Sequence, residues 1–234
     1  MPALNDPVVL IPAHNEAATV GAIVAEVRAQ QRCPVVVIDD YSTDATAQLA
    51  RAAGATVLPL TIQLGAWGAT QTGLRYALRE GYRTAITLDA DGQHEPNHIS
   101  ALLEPLASGQ ADVSIGAFPE RASRARRFAW SYFRWLTNLE LEDITSGFRA
   151  YNHAAMTVLA SPAASLFDYQ DVGVLLILRR QGLRIVEVPV SMQPRVIGAS
   201  KIFRSWRVVG KYMLQTSLLC IARVGYHHRP RDED

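Results

Sequence analysis

A mostly parallel α/β sheet flanked by helices is what this sequence predicts, and three observations predict it. Up to residue 117, short runs of β-branched and small apolar residues alternate with stretches of helical periodicity. Acidic and polar motifs fall directly after those runs. Beyond residue 120 the alternation gives way to a basic, aromatic segment and then to shorter elements. Strand–helix alternation of this kind builds a parallel sheet covered on both faces. In open α/β sheets ligands bind beyond the carboxyl ends of the strands, which is where these motifs lie.

Taken in order, residues 8–11 are predicted as the first strand and 17–30 as the first helix. Val20, Ile23, Val24 and Val27 there follow the i, i+3, i+4, i+7 spacing of one buried face. Residues 35–38 are four β-branched residues in a row, a buried strand, followed by helix 44–53. Strands 56–60, 85–88 and 112–116 alternate in the same way with helices 68–80 and 97–107. Past them the pattern predicts a helix over 123–138, a short strand over 148–151, a helix over 172–181 and a strand over 184–190. A last helix over 203–224 has Phe203, Trp206, Val209, Tyr212, Met213, Leu218 and Ile221 among its apolar positions. Residues 1–202 thus form one catalytic-sized domain, with a nucleotide-sized half at about 7–117 and a second half at 118–202. Residues 203–234 add an amphipathic helix and a polar tail.

Composition narrows the function. At 234 residues the chain buries roughly 70–75% of its unfolded surface, enough for a core without staples. Lys and Arg number 23 against 22 Asp and Glu, a balance that argues against a nucleic-acid binder. Cys33 and Cys220 stand far apart with no C-x-x-C, so neither a zinc site nor a disulfide framework follows, and a reducing cytoplasmic compartment is the simplest reading. The first residues lack the basic and apolar regions of a signal peptide. The longest uncharged stretch, 52–74, holds four glycines, Pro59 and two glutamines, so it reads as strand, loop and helix start. An integral membrane protein is not expected.

The strongest chemical feature is Thr87-Leu88-Asp89-Ala90-Asp91-Gly92-Gln93-His94, after an apolar run. Carboxylates at i and i+2 of extended chain point the same way, so Asp89 and Asp91 can share one hard cation such as Mg²⁺ or Mn²⁺ with phosphate oxygens. The plain alternative is an Asp-Gly turn. A second acidic site, Val36-Val37-Ile38-Asp39-Asp40-Tyr41-Ser42-Thr43-Asp44, ends the second strand. Ser42, Thr43 or Asp44 suits a helix cap there, and Asp39 is placed to accept from a base N–H or a ribose hydroxyl. The first strand runs into Pro12-Ala13-His14-Asn15-Glu16, where a dinucleotide fold would want G-x-G-x-x-G; neither that spacing nor a P-loop or a G-x-S-x-G occurs.

These motifs in this order resemble the family-2 glycosyltransferases with the GT-A fold. P-A-H-N-E, V-I-D-D-x-S-x-D-x-T, a glycine-rich segment and L-D-A-D-G-Q-H-x-P are followed by D-I-T-S-G-F-R-A-Y at Asp143–Tyr151. G-L-R-I-V-E-V-P-V at Gly182–Val190 and R-V-I-G-A-S-K at Arg195–Lys201 complete the set, which spans about residues 7–201. The branch most similar is that of the dolichyl- or polyprenyl-phosphate sugar transferases. The resemblance implies a nucleotide-diphospho-sugar transferase fold with Pro12, Ala13, Asn15 and Glu16 near the nucleoside and Asp39 on the base. Asp89 would support ribose or metal, Asp91 would ligate the metal directly and Gln93 would also reach it. Arg195 would bind the donor diphosphate, with Ser200 and Lys201 in the loop around it. Ser146 and Arg149 match the acceptor side.

A lipid phosphate is already ionised at pH 7, whereas a glycan hydroxyl needs a general base, for which Asp143 and Asp171 are the candidates. Asp171 serves equally as a helix N-cap. Three departures stand out: Tyr41 replaces the family's usual Gly, Glu140-Leu141-Glu142-Asp143 is acidic, and Asp168-Tyr169-Gln170-Asp171 lacks the usual Glu. Arg121, Arg124, Arg126, Arg127 and Arg134 interleave with Phe128, Trp130, Tyr132, Phe133 and Trp135, and Arg204, Arg207 and Lys211 precede the apolar run 212–222. Such basic amphipathic segments can lie on the inner face of a membrane without spanning it; packing on the domain or a homodimer contact is the alternative. The expected activity is inverting, metal-dependent transfer from a UDP- or GDP-sugar to a polyprenyl phosphate or a glycan hydroxyl. A D-x-D phosphohydrolase is disfavoured by Gly92-Gln93 after the second Asp, and the non-enzyme alternative is a nucleotide-sugar-binding or scaffold subunit.

Overall fold

The computed structural model describes residues 7–31, 33–121, 130–132, 134, 141–166 and 172–193. Their strands are β1 (Val8–Ala13), β2 (Val35–Asp39), β3 (Thr56–Pro59), β4 (Thr84–Thr87), β5 (Val113–Ala117), β6 (Arg149–Asn152) and β7 (Ile185–Pro189). They form one sheet in the order β3-β2-β1-β4-β6-β5-β7. All neighbours are parallel except β6, which runs antiparallel to both β4 and β5. The helices are α1 (Val20–Gln31), α2 (Thr46–Ala52), α3 (Gly65–Arg79), α4 (Ile99–Ala107), α5 (His153–Leu159) and α6 (Val172–Arg180).

Period-2 alternation sorts the core into two layers. Val8 and Leu10 of β1 face one side, packed with Trp67, Leu74 and Ala77 of α3, Met156 and Leu159 of α5, and Val174 and Leu178 of α6. Val9 and Ile11 face the other, with Val20, Ile23, Val24 and Val27 of α1, Ala50 of α2, and Ile99 and Leu102 of α4. The predicted α1 stripe is therefore the buried one. Gly73 lets α3 lie close on the sheet, since a Cβ there would stand 2.8 Å from Ile38 Cδ1.

Chain order reverses at β1: β2 and β3 lie to one side and β4 to the other. This is the switch point where a crevice opens at the carboxyl ends of the strands. The antiparallel β6 matters as much. Because Arg149 pairs with Thr87, the loop entering β6 arrives at the edge that β4 leaves, and residues 145–148 lie beside the Asp89 loop.

The expected elements recur with shifted ends. The D-A-D segment lies outside β4, in a turn rather than in extended chain, so the alternation argument for its two carboxylates does not hold. The turn has two local causes: Gly92 takes φ 77°, and Asp91 Oδ1 accepts Gln93 N–H at 3.1 Å. Helix α3 begins at Gly65 rather than 68 because a distant residue, Asp40, caps it. Helix α5 is additional; Asn152 Oδ1 caps it by accepting Ala155 N–H at 2.9 Å. Trp130–Tyr132 and Arg134 are helical, and the rest of the expected 123–138 helix and all of the 203–224 helix lie outside the described residues. Among the described residues no helix is long and apolar enough to cross a membrane.

Candidate active site

Ala13 and Asp39 are paired in the register of β1 and β2, so the loops that follow leave the sheet side by side. They are laced together. Asp40 N–H donates to Ala13 O (2.8 Å), and His14 Nδ1–H donates to Asp40 O (2.7 Å). Asn15 N–H reaches Ser42 Oγ (3.0 Å), while Asn15 Oδ1 accepts Thr43 N–H (2.8 Å). Glu16 N–H donates to Thr46 Oγ1 (2.9 Å). Asp44, not Ser42 or Thr43, caps α2: it accepts Thr46 N–H (2.9 Å) and Ala17 N–H (3.2 Å). Burial works to raise the Asp44 carboxyl, but the hydrogen bonds from Thr46 and Ala17 outweigh it and hold it below the ordinary range.

The two aspartates of V-I-D-D part company. The buried Asp40 carboxylate accepts Leu64 N–H (2.6 Å) and Gly65 N–H (2.9 Å), two orphan donors at the positive end of α3. Asp39, buried as well, keeps one oxygen on Ser42 N–H (3.2 Å) at the end of β2. Sequence reasoning chose Asp39 for the site and had no local signal for the role of Asp40, whose partners are more than twenty residues away.

The D-A-D turn is held from beneath. Thr19 Oγ1 donates to Ala90 O (2.6 Å) from the turn before α1. Asp89 N–H donates to His94 Nδ1 (3.3 Å). Its ring stacks on Phe148, centroids 5.2 Å apart. The Asp89 side chain is 45% exposed and that of His94 1%, so carboxylate faces outward over a closed base. Gly147 makes room for Asp89: a Cβ there would stand 2.5 Å from Asp89 Oδ1. None of Thr19, His94 and Gly147 was among the expected site residues, although His94 and Gly147 lie within the motifs.

Several expected acceptor-side residues are internal. Arg149 is fully buried and donates Nε–H to Ser146 O (2.8 Å) and Nη2–H to Ile144 O (3.0 Å), which shapes the T-S-G-F loop. Ser146 is buried too, its Oγ accepting Phe148 N–H (3.3 Å). Asp143 is fully buried and accepts Phe118 N–H (3.4 Å) and both Thr145 N–H and Oγ1–H (3.3 Å each). Glu187 of β7 accepts Asp143 N–H (2.7 Å) and Glu142 N–H (2.8 Å). Nearby, a cavity of about 390 Å³ is lined by Pro119, Glu120, Trp130, Ser131, Arg134 and Glu142. Beyond β7, Glu95 takes Gln193 Nε2–H (2.6 Å) and Ser191 Oγ–H (3.1 Å), and Gln193 N–H donates to Gln93 O (2.9 Å). Asp171, Arg195, Ser200 and Lys201 lie outside the described residues.

The residues present fit a hard divalent cation. Among the described residues no group of three or more His, Cys, Asp or Glu is placed to hold a metal. The D-A-D turn carries two carboxylates, too few to fill the sphere of such a cation, so most of the coordination would fall to ligand oxygens and water. That is the manner in which Mg²⁺, and Mn²⁺ like it, binds with a phosphorylated substrate.

Comparison with known proteins gives the family and the fold. Residues 8–159 match the model of glycosyl transferase family 2. The undecaprenyl-phosphate mannosyltransferase of Micrococcus luteus is 31% identical over 89% of this chain and 91% of its own. The polyprenol monophosphomannose synthase of Mycolicibacterium smegmatis is 30% identical over 83% of this chain and 80% of its own. Among solved structures, glucosyl-3-phosphoglycerate synthase from Mycobacterium tuberculosis, in complex with phosphoglyceric acid, superposes with a TM-score of 0.71 at 21% identity. It covers 94% of this chain and 80% of its own. The same enzyme with Mn²⁺, UDP-glucose and phosphoglyceric acid gives a TM-score of 0.70 at 20% identity. The sheet and its flanking helices are thus those of the GT-A fold.

Proposed function

Because the chain belongs to glycosyl transferase family 2 and is a glycosyltransferase, we propose that it moves one sugar from a nucleoside-diphosphate sugar to a polyprenyl phosphate, with inversion and with Mg²⁺ or Mn²⁺. One observation supports the reading: Ala13 and Asn15, Asp39, and Asp89 and Asp91 follow or end three neighbouring strands, β1, β2 and β4, at the carboxyl edge of the sheet around its switch point. The acceptor class comes from the two bacterial relatives, whose names specify undecaprenyl phosphate and polyprenol phosphate.

In this reading residues 7–117 hold the donor and residues 118–202 face the acceptor, with Asp39 toward the base and Asn15 and Glu16 beside the nucleoside. Asp89 and Asp91, with Gln93 beside them, would hold the cation, which when bound supplies Lewis-acid neutralisation of the donor's diphosphate. Arg195, Ser200 and Lys201 are assigned to the diphosphate, and Ser146 and Arg149 to the shape of the acceptor loop. A phosphate oxygen of the acceptor attacks the anomeric carbon opposite the leaving group. One C–O bond forms as the other breaks, and the nucleoside diphosphate departs with the electron pair. The attacking oxygen is already ionised, so no general base is required. The burial of Asp143, whose carboxylate accepts from Phe118 and Thr145, argues against one of the two base candidates that a hydroxyl acceptor would need. Peripheral contact with the cytoplasmic membrane face through the basic aromatic segments is part of the same proposal.

The test is a thermal-shift panel of UDP, GDP, CDP and dTDP with Mn²⁺, Mg²⁺ or EDTA, run beside transfer to a short polyprenyl phosphate. A nucleotide at 100 times its Kd adds about 2.7 kcal/mol, or roughly 5–10 °C for a domain this size. One base should give a metal-dependent shift that Asp91→Ala abolishes together with transfer. Shifts indifferent to metal and to Asp91, or binding without transfer, would leave a binding subunit instead.

A further inference from the structure

We propose that Tyr41 stacks on the nucleobase of the donor and so helps to set which base is accepted; the inference rests on the donor-site reading above. Among the described residues only two that are not glycine have positive φ, Asn15 at 55° and Tyr41 at 61°. Both lie in the paired loops after β1 and β2. Asparagine visits the left-handed region readily, whereas a bulky aromatic side chain there is an outlier. The surroundings impose it. Tyr41 N–H is held to Asp39 O (2.9 Å), the preceding Asp40 is pinned through its N–H and its carbonyl, and the following Ser42 N–H is held to Asp39 Oδ1. Glycine would take this conformation freely.

Packing gives little back for the strain, because Tyr41 is 55% exposed. Strained residues that persist without such compensation cluster where ligands bind. Ile62 and Leu64 are exposed too, on the loop before α3, which Asp40, the neighbour of Tyr41 in sequence, holds through Leu64 N–H. A base presents a polar rim and two π faces. Asp39 suits the rim, and an exposed aromatic two residues on suits a face.

The experiment is isothermal titration of UDP, GDP and ribose 5-diphosphate, each with Mn²⁺, into wild type, Tyr41→Phe and Tyr41→Gly, with unfolding followed in parallel. The nucleotide that wild type binds should bind Tyr41→Gly about 5–100-fold more weakly and Tyr41→Phe within about twofold. Ribose 5-diphosphate, which has no base, should bind all three alike. Ligand-free Tyr41→Gly should melt no lower than wild type, since the strain is relieved. Unchanged nucleotide affinity in Tyr41→Gly overturns the inference, as does an equal loss for ribose 5-diphosphate or a lower melting temperature. Failure of wild type to bind either nucleotide overturns the donor-site reading itself.

Discussion

Replacing Gly147 with alanine separates the geometry of the site from the stability of the fold. A Cβ there stands 2.5 Å from Asp89 Oδ1, 2.6 Å from Oδ2 and 2.8 Å from Cγ. The backbone of Gly147 is not left-handed, and the three atoms nearest an added Cβ all belong to the Asp89 carboxylate. Ordinary contact begins at 3.4 Å, and the carboxylate must therefore retreat by about 0.9 Å. The loop cannot yield instead, because Gly147 O is held by Thr87 Oγ1–H at 2.7 Å just before β6. Asp89, with its side chain 45% exposed, can swing outward. Misplacement by about 1 Å costs on the order of 100-fold in rate. Displacing a half-exposed side chain costs less than overpacking a core, so the melting temperature should fall by less than about 4 °C. Gly73→Ala is the control: its Cβ meets Ile38 Cδ1 at 2.8 Å and Leu10 Cδ1 at 3.3 Å, under α3. It should lose about 1–3 kcal/mol, or roughly 2–10 °C, while folded protein turns over within about twofold of wild type. Initial rates at saturating donor and metal, with unfolding curves, decide the matter. Wild-type turnover in Gly147→Ala refutes the reasoning, and so does a loss of rate that merely tracks a large loss of stability.

Three further outcomes are expected. Asp40→Ala should remove about 2 kcal/mol by orphaning Leu64 N–H and Gly65 N–H, a drop of roughly 4–8 °C that Asp40→Asn partly restores; equal melting in the two variants contradicts the capping role. Burial lifts the Glu187 carboxyl above its ordinary 4.5, against the hydrogen bonds from Asp143 and Glu142. The folded state then holds that proton more tightly than the unfolded chain, so the contribution of Glu187 to stability declines as pH rises from 4.5 through the folded value. Glu187→Gln should flatten the difference in melting between pH 4.5 and 7.5, and an undiminished difference speaks against it. Glu95→Ala frees Gln193 and Ser191, and should raise the donor KM about 5–10-fold with melting within about 2 °C, because the main-chain pin on Gln93 loosens; an unchanged KM dismisses the clamp.

How far the sequence disclosed all this depended on how local each cause is. Strands β1 and β2 were readable because β-branched runs need no distant partner to declare themselves, and the α1 stripe because its period lies within one helix. The acidic turns after β2 and β4 could be placed at the sheet edge from strand ends alone. The division of labour between Asp39 and Asp40 could not, since it depends on where Leu64 N–H sits. Nor could the burial of Ser146, Asp143 and Arg149, because their motif looks polar in sequence and becomes internal only when β6 inserts antiparallel between β4 and β5. For α5 the signal was present and unused: Asn152 is a capping residue three before Ala155, with Met156 and Leu159 following at helical spacing.

That antiparallel strand explains why one turn answers to both halves of the chain. A purely parallel sheet would bring the loops after β1 and β2 to the carboxyl edge and leave the T-S-G-F loop at the opposite edge. With β6 reversed, Gly147 comes to rest against Asp89, and Phe148 beneath His94. Thr19 holds Ala90 O from the turn before α1 while His94 accepts from Asp89 N–H, so the backbone of the turn is fixed at two points. Of the two carboxylates the turn carries, that of Asp89 is half-exposed and Asp91 is nearly closed over. Charge placed on so constrained a support needs little reorganisation when a phosphorylated ligand arrives, the condition under which fixed dipoles and ions act most strongly on developing charge. Polar residues with no access to ligand, such as Thr19 and His94, are therefore as much a part of this site as the aspartates they hold.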